Sequence, residues 1–285
     1  MESNLRTLGR AESKVVLSLR EEGRSLVQTA DILDILGPEV RETAARKVIR
    51  NLVRKGWLSR IVGGKYMLLP PEHGPENLGE NNVLALAAAV AAPCYIGWWS
   101  AASWHGFTTQ KPMTVFVAVT RQAPSREIEG STVRFVKVTS RKFFGYESYD
   151  IYGRAVPVSS PAKTLIDCLD RPDLAGGPAE LARIVHSALA EIPPEDVLAA
   201  ATAMKSKAVF QRLGFLSDLV GRPLPEPTRT NLHSLLPRSY RSHFGRPELR
   251  EGDIGYVAAW GLFVHAREDE LLAEVPRIRS AREDS

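Results

Sequence analysis

The stretch ARKVIRNLVRKGWLSRIVGGKYMLLP, residues 45–70, constrains the fold more than any other because its hydrophobic period changes partway along. Ala45, Val48, Ile49 and Leu52 recur at helical spacing. At 100° per residue they share one side of a helix, with Ala44 and Val53 at its margins. Thr43, Arg46, Lys47, Arg50 and Arg54 fall on the other side, within an arc of about 100° in which every charge after Glu39 reads as positive. Gly56 closes the helix. WLSRIV and KYMLL then read as two short strands joined by Gly63-Gly64, a dipeptide that accepts the positive φ angles of a tight hairpin. Arg60 and Lys65 flank its tip.

Two helices are expected upstream. Val15, Val16 and Leu19 have helical spacing within Glu12–Glu22, which Gly23 stops. Thr29 reads as the N-cap of a helix over Ala30–Leu36, ended by Gly37-Pro38, and Pro38 fits the first turn of the basic helix that follows. Helix, helix, basic helix, hairpin is the order of a winged helix-turn-helix. In that arrangement the last helix enters the major groove of DNA and the wing touches the neighbouring backbone. Thr43, Arg46, Lys47, Arg50 and Arg54 are therefore expected to face the groove, with Arg60 and Lys65 on the wing. Arg20, Arg24, Arg41 and Lys55 lie off the main arc or outside the helix and are not assigned as contacts.

The charge distribution agrees. Up to Leu69 there are 13 Lys/Arg against 8 Asp/Glu, and beyond it 24 against 25, so the whole excess behind the net +4 lies in the first quarter. That asymmetry suits an anionic partner for this segment, nucleic acid before membrane. The longest apolar run, VLALAAAVAA, is too short to span a bilayer, and no signal-peptide core opens the chain. Two cysteines, Cys94 and Cys168, each inside an apolar stretch, fit a reduced compartment without disulfides. A cytoplasmic protein is expected, nucleoid-associated when bound to DNA. PPEHGPENLGEN, starting at Pro70, reads as a linker. A winged helix over 1–72 and a larger α+β domain over 80–285 are expected.

In that second part, Val83–Ala92 reads as a buried helix ending before Pro93. Tyr95–Phe107, with three tryptophans, reads as a helix that packs closely on a sheet through Ser100, Ala101 and Ala102. MTVFVAV (113–119) and STVRFVKV (131–138) are β-rich, and strand-like pieces continue to Val158. A helix starts at Pro161 behind a Ser cap. PAELARIVHSAL, PPEDVLAAATAM and KAVFQRLGFLSDLV follow as helices, and PELREGDIGYVAAWGLFVHA reads as a strand pair before a charged tail. The fold class is α+β.

IGWWSAASWHGFTTQKPMTVFVAVTRQ, VRFVKVTSRKFFGYE, SSPAKTLIDCLDRPDLAGG and AVFQRLGFLSDLVG, in this order behind a basic helix and hairpin, resemble the AbiEi antitoxins of type IV toxin-antitoxin systems. The resemblance runs over about residues 10–220. It implies an N-terminal winged helix that represses its own operon by binding inverted repeats in duplex operator DNA. It also implies a C-terminal domain that counteracts a nucleotidyltransferase-like toxin encoded alongside, with or without direct contact. A monomer in solution and a dimer on DNA both fit.

The residues bear on other classes as well. A restriction-type nuclease holds Mg²⁺ between an Asp and a Glu-x-Lys, and the only Glu-x-Lys, Glu12-Ser13-Lys14, reads as a helix surface. SSPAKT lacks the phosphate-loop spacing, so Lys163 reads as decorating the start of a helix. Six histidines lack metal-ligand spacing, and His105 reads as a cap or a core hydrogen-bonding group. No GxSxG elbow occurs. The expectation is a DNA-binding antitoxin and autorepressor that is not an enzyme and takes no cofactor or metal. Two alternatives remain: a ligand-responsive repressor whose tryptophan-rich segment lines a pocket, and a DNA-binding protein with a nuclease-like second domain.

Overall fold

The computed structural model describes residues 7–24, 26–60, 64–69, 80–128, 131–151 and 154–276. Three helices and three strands open the chain: α1 Arg10–Glu21, β1 Leu26–Gln28, α2 Thr29–Leu36, α3 Glu42–Arg54, β2 Leu58–Arg60 and β3 Lys65–Leu68. The strands form one antiparallel sheet in the order β1-β3-β2, and the arrangement is compatible with a winged helix. Val15, Val16 and Leu19 of α1 pack with Ile32 of α2, Ile49 and Leu52 of α3, and Leu58, Tyr66 and Leu68 of the sheet in one small core. Each such aliphatic side chain contributes about 1.5–3 kcal/mol by leaving water.

Local chemistry shifts the expected boundaries here. Thr29 is the first residue of α2 rather than its cap; Gln28 is the cap, and its N–H donates to Asp31 Oδ2 at 2.7 Å. Helix α3 begins at Glu42, not at Pro38, because Pro38 lies in a turn after Gly37, whose φ of +103° ends α2. Glu12 is not a surface residue. It is buried at the start of α1, where its carboxylate accepts the Gly9 N–H at 2.8 Å and pairs with Lys55. Lys55, left out of the DNA contacts on sequence grounds, is thus tied to α1. Gly63 and the Pro70–Gly79 part of the expected linker lie outside the described residues.

The second part is built on a six-stranded mixed sheet. After α4, Glu80–Val90, come β4 Cys94–Ile96, α5 Trp98–Trp104, β5 Thr114–Val119, β6 Arg126–Ile128, β7 Ser131–Lys137, β8 Tyr146–Asp150 and β9 Ala155–Ser159, in spatial order β6-β7-β5-β4-β9-β8. The expected single helix over Tyr95–Phe107 is therefore a strand followed by a helix. Cys94–Ile96 pairs with both β5 and β9, and Gly97 separates it from α5. The sheet is covered on both faces. Val115, Val117, Val119, Val133, Phe135, Val156 and Val158 face α4, whereas Phe116, Ala118, Val136 and Tyr95 face the helical side. This two-sided burial is why MTVFVAV is apolar throughout instead of alternating.

Helix α6 Pro161–Asp170 lies against that second face, and α7 Pro178–Glu191, α8 Pro194–Met204, α9 Lys207–Leu219 and α10 Glu226–Ser234 pack on α6 and on one another in the same core. Ser160 caps α6, accepting the Lys163 N–H at 3.3 Å, with Pro161 in the first turn as expected. The C-terminal strand pair proves to be a three-stranded sheet. β10 Ser242–Gly245 and β11 Gly255–Val257 flank β12 Leu262–His265, and short α11, Glu268–Leu272, follows. The protein is α+β throughout.

Candidate nucleic-acid interface

Helix α3 lies with Ala45, Ile49 and Leu52 in the small core, which turns its other side to solvent. Thr43, Arg46, Lys47, Arg50 and Arg54 are all exposed on it, and Arg60 is exposed at the end of β2. Thr43, Arg46 and Arg50 line a groove of about 520 Å³ whose opposite wall carries Arg60, Gly64 and Tyr66, with Thr29 at its end. The wing is held there by the Thr29 N–H, which donates to the Gly64 carbonyl at 3.3 Å, and Gly64 has the positive φ, +74°, expected of the turn. Lys47 and Arg54 flank the groove without lining it. Lys65 is half-buried at the start of β3.

One feature of the face differs from expectation. Glu42, the first residue of α3, is exposed on the same side and pairs with Arg46, whose Nε donates to Glu42 Oε1 at 3.0 Å. That side of α3 therefore carries four cations, Arg46, Lys47, Arg50 and Arg54, and one carboxylate. Glu42 suits the helix's N-terminal dipole, and an exposed pair of this kind contributes only about 0.3–0.5 kcal/mol. The pair holds Arg46 only weakly.

A second cluster, missed on sequence, sits under the six-stranded sheet. Lys163 is fully buried, not a decoration of the helix start: its Nζ pairs with Asp167 one turn on and lies 3.0 Å from the Tyr95 hydroxyl. Tyr95 in turn donates to Asp167 Oδ2 at 3.1 Å, and Nζ lies 4.8 Å from the Phe144 ring centroid. Burial pushes Lys163 below its ordinary value and Asp167 above its own, against their mutual attraction. The signal available in the sequence was a Lys and an Asp four residues apart, with Leu165 and Ile166 between them and Cys168 and Leu169 after them.

The remaining candidates resolve into structural parts. His105 caps α5, and its Nε2 lies 2.7 Å from the Ser159 carbonyl, which makes Nε2 the protonated nitrogen. Lys14 Nζ donates to the Leu36 carbonyl at 3.2 Å. Cys94 and Cys168 are free and buried, and burial pushes the Cys94 thiol up to about 11. Trp98 is core, Trp99 donates to Glu180 at 3.3 Å, and Trp104 lines a cavity of about 280 Å³ with Ser100, Ser103, Lys111 and Met113. Among the described residues no group of three or more His, Cys, Asp or Glu is placed to hold a metal ion. None of the described helices is long and apolar enough to cross a membrane.

The fold and this face define an α+β protein with a cationic helix-and-hairpin head ahead of a sheet-and-helix body. Residues 91–219, from just before β4 to the end of α9, match the family model of the AbiEi antitoxin C-terminal domain. The crystal structure of the RV2827C protein from Mycobacterium tuberculosis shares the fold, with a TM-score of 0.65 over 94% of this chain and 95% of that chain at 18% identity. No curated relative matches the chain.

Proposed function

We propose that the chain is an autorepressing antitoxin of two working parts, residues 1–72 binding duplex operator DNA and residues 80–285 counteracting a toxin. The carrying observation is the groove in which Thr43, Arg46 and Arg50 face Arg60 across a cleft, joined to an AbiEi antitoxin domain. Long cationic side chains on an exposed helix reach phosphates and guanine edges, and a wing arginine adds backbone contact. Lys47 and Arg54 extend the cationic side along the helix, and Lys65 lies at the start of β3, next to the Gly64 turn of the wing. An operator with inverted repeats would be read by two copies, a dimer forming on DNA. The toxin expected beside it is nucleotidyltransferase-like. In this reading the protein is cytoplasmic and performs no catalysis.

The test is fluorescence anisotropy on the chain's own promoter. Arg50→Ala weakens operator binding by about 1–3 kcal/mol if Arg50 reads a guanine. Lys65→Ala weakens binding alike on every sequence and lowers the salt slope by about one. An unchanged operator affinity in Arg50→Ala removes the groove from DNA recognition. Growth rescue on co-expression with the neighbouring gene tests the antitoxin half.

A further inference from the structure

The solvent side of α3 carries a single carboxylate, and its geometry is particular. Glu42 is the first residue of the helix and Arg46 stands one turn on, at the spacing that brings two side chains together. One edge of the guanidinium goes to one carboxylate oxygen: Nε donates to Glu42 Oε1 at 3.0 Å and Nη2 donates to it at 2.5 Å. The other edge of the fork, Nη1 with the second hydrogen of Nη2, has no partner among the described residues. Of the four cations on this side, Arg46 alone has an acidic partner among the described residues; Arg54 donates only to the Asn51 side chain, at 3.4 Å.

A guanidinium donates along either edge of its fork, and a guanine presents O6 and N7 side by side in the major groove as matching acceptors. The edge left open on Arg46 has the shape that this pair requires. Thr43, Arg46 and Arg50 line the groove that faces the wing, whereas Glu42 does not, so the carboxylate holds the fork from outside the groove. Weak in water, the pair strengthens where a base pair displaces the solvent around it, because the local dielectric falls. An arginine with no such partner keeps its rotamer freedom and is drawn to phosphates. The carboxylate itself repels phosphates, which lowers affinity for every sequence alike.

We propose that Glu42 is a specificity-determining residue of α3, a positioning carboxylate that holds Arg46 for a guanine at one place in the operator and keeps phosphates off the first turn of the helix. The inference rests on the operator reading above and narrows its ligand to duplex DNA with a guanine beneath that first turn. Arg46 touches the base, and Glu42 acts through Arg46.

The test selects binding sites from a randomised duplex library with the full chain. Fluorescence anisotropy then gives affinities for the selected duplex, for single base changes in it and for an unrelated duplex. The parent chain is expected to prefer guanine at one position by about five- to 100-fold, and Arg46→Ala to lose that preference. Glu42→Ala still binds, but most of the preference at that same position disappears, while affinity for the unrelated duplex rises about two- to five-fold through removal of one exposed repulsive charge. Glu42→Gln keeps an oxygen for Arg46 without the charge, so it retains more of the guanine preference than Glu42→Ala. Thermal melting of each variant separates lost selectivity from lost folding. A guanine preference unchanged in Glu42→Ala, or a loss of affinity equal on all sequences such as a frayed helix would give, overturns the role of Glu42 and leaves operator binding standing. A parent chain that selects no sequence overturns the operator reading itself, and this inference with it.

Discussion

Removing the charge of Lys163 alone should damage the protein far more than removing it together with its partner. In Lys163→Met the aliphatic stem is roughly preserved, but the Asp167 carboxylate stays fully enclosed without its cation, and breaking a buried pair in this way costs about 3–5 kcal/mol. The double variant Lys163→Met/Asp167→Leu removes both charges. What remains is the Tyr95 hydroxyl, which loses both its partners and costs about 1–3 kcal/mol as an unsatisfied buried group. Adding Tyr95→Phe removes that group too, and the triple variant should return close to the parent. Against a total stability of about 5–15 kcal/mol the single change is severe and the triple one mild. Urea unfolding followed by far-ultraviolet circular dichroism and tryptophan fluorescence gives the order. A single variant no less stable than the double one refutes the reasoning, because the carboxylate would then be finding water or another cation.

Two further outcomes follow from packing and from burial of histidine. A Cβ on Gly214 of α9 would sit 2.2 Å from the Trp260 ring, whose Nε1 donates to Asp218 at 3.0 Å, so Gly214→Ala must push the indole off α9. The overpacking cost is about 1–3 kcal/mol and is read as a fall in Tm; an unchanged Tm shows that the indole has room to move. His105 and His186 are both held below the ordinary histidine value by burial, so the unfolded chain binds more protons than the folded one as pH falls below about 6.5. Stability should therefore decline from neutral pH downward. His186, whose ring nitrogens have no hydrogen-bond partner among the described residues, accounts for part of the slope, so His186→Leu flattens it. A urea midpoint that rises on acidification contradicts this.

Much of the head was legible because its periods are pure. The alternation of apolar and cationic residues in α3 fixes which side is buried with no help from tertiary structure, and the exposure of Arg46, Lys47, Arg50 and Arg54 follows from it. The pairing of β1 with β3 was not legible, since Leu26–Gln28 is three residues long and carries no alternation of its own. In the body, Tyr95 sits on a strand because Cys94–Ile96 fills the space between β5 and β9, a long-range demand that local aromatic content conceals. Strand β10 was missed for a related reason: it lies parallel to β12, and the partner that stabilises it comes some twenty residues later. Lys163 misled because a charge four residues from an opposite charge usually marks a solvated helix face. Here α6 is enclosed on every side, and the same spacing makes an internal pair.

Strand β3 is a party wall. Tyr66 and Leu68 point into the small core of the head, while Met67 between them, 1% exposed, points into the core shared by α4 and the large sheet, with Leu26 of the neighbouring strand beside it. The hairpin and the body therefore share an apolar contact at Met67 and Leu26. Severing the halves at the start of α4 would leave an oily scar on each, so the head expressed by itself should be stickier than its many arginines suggest.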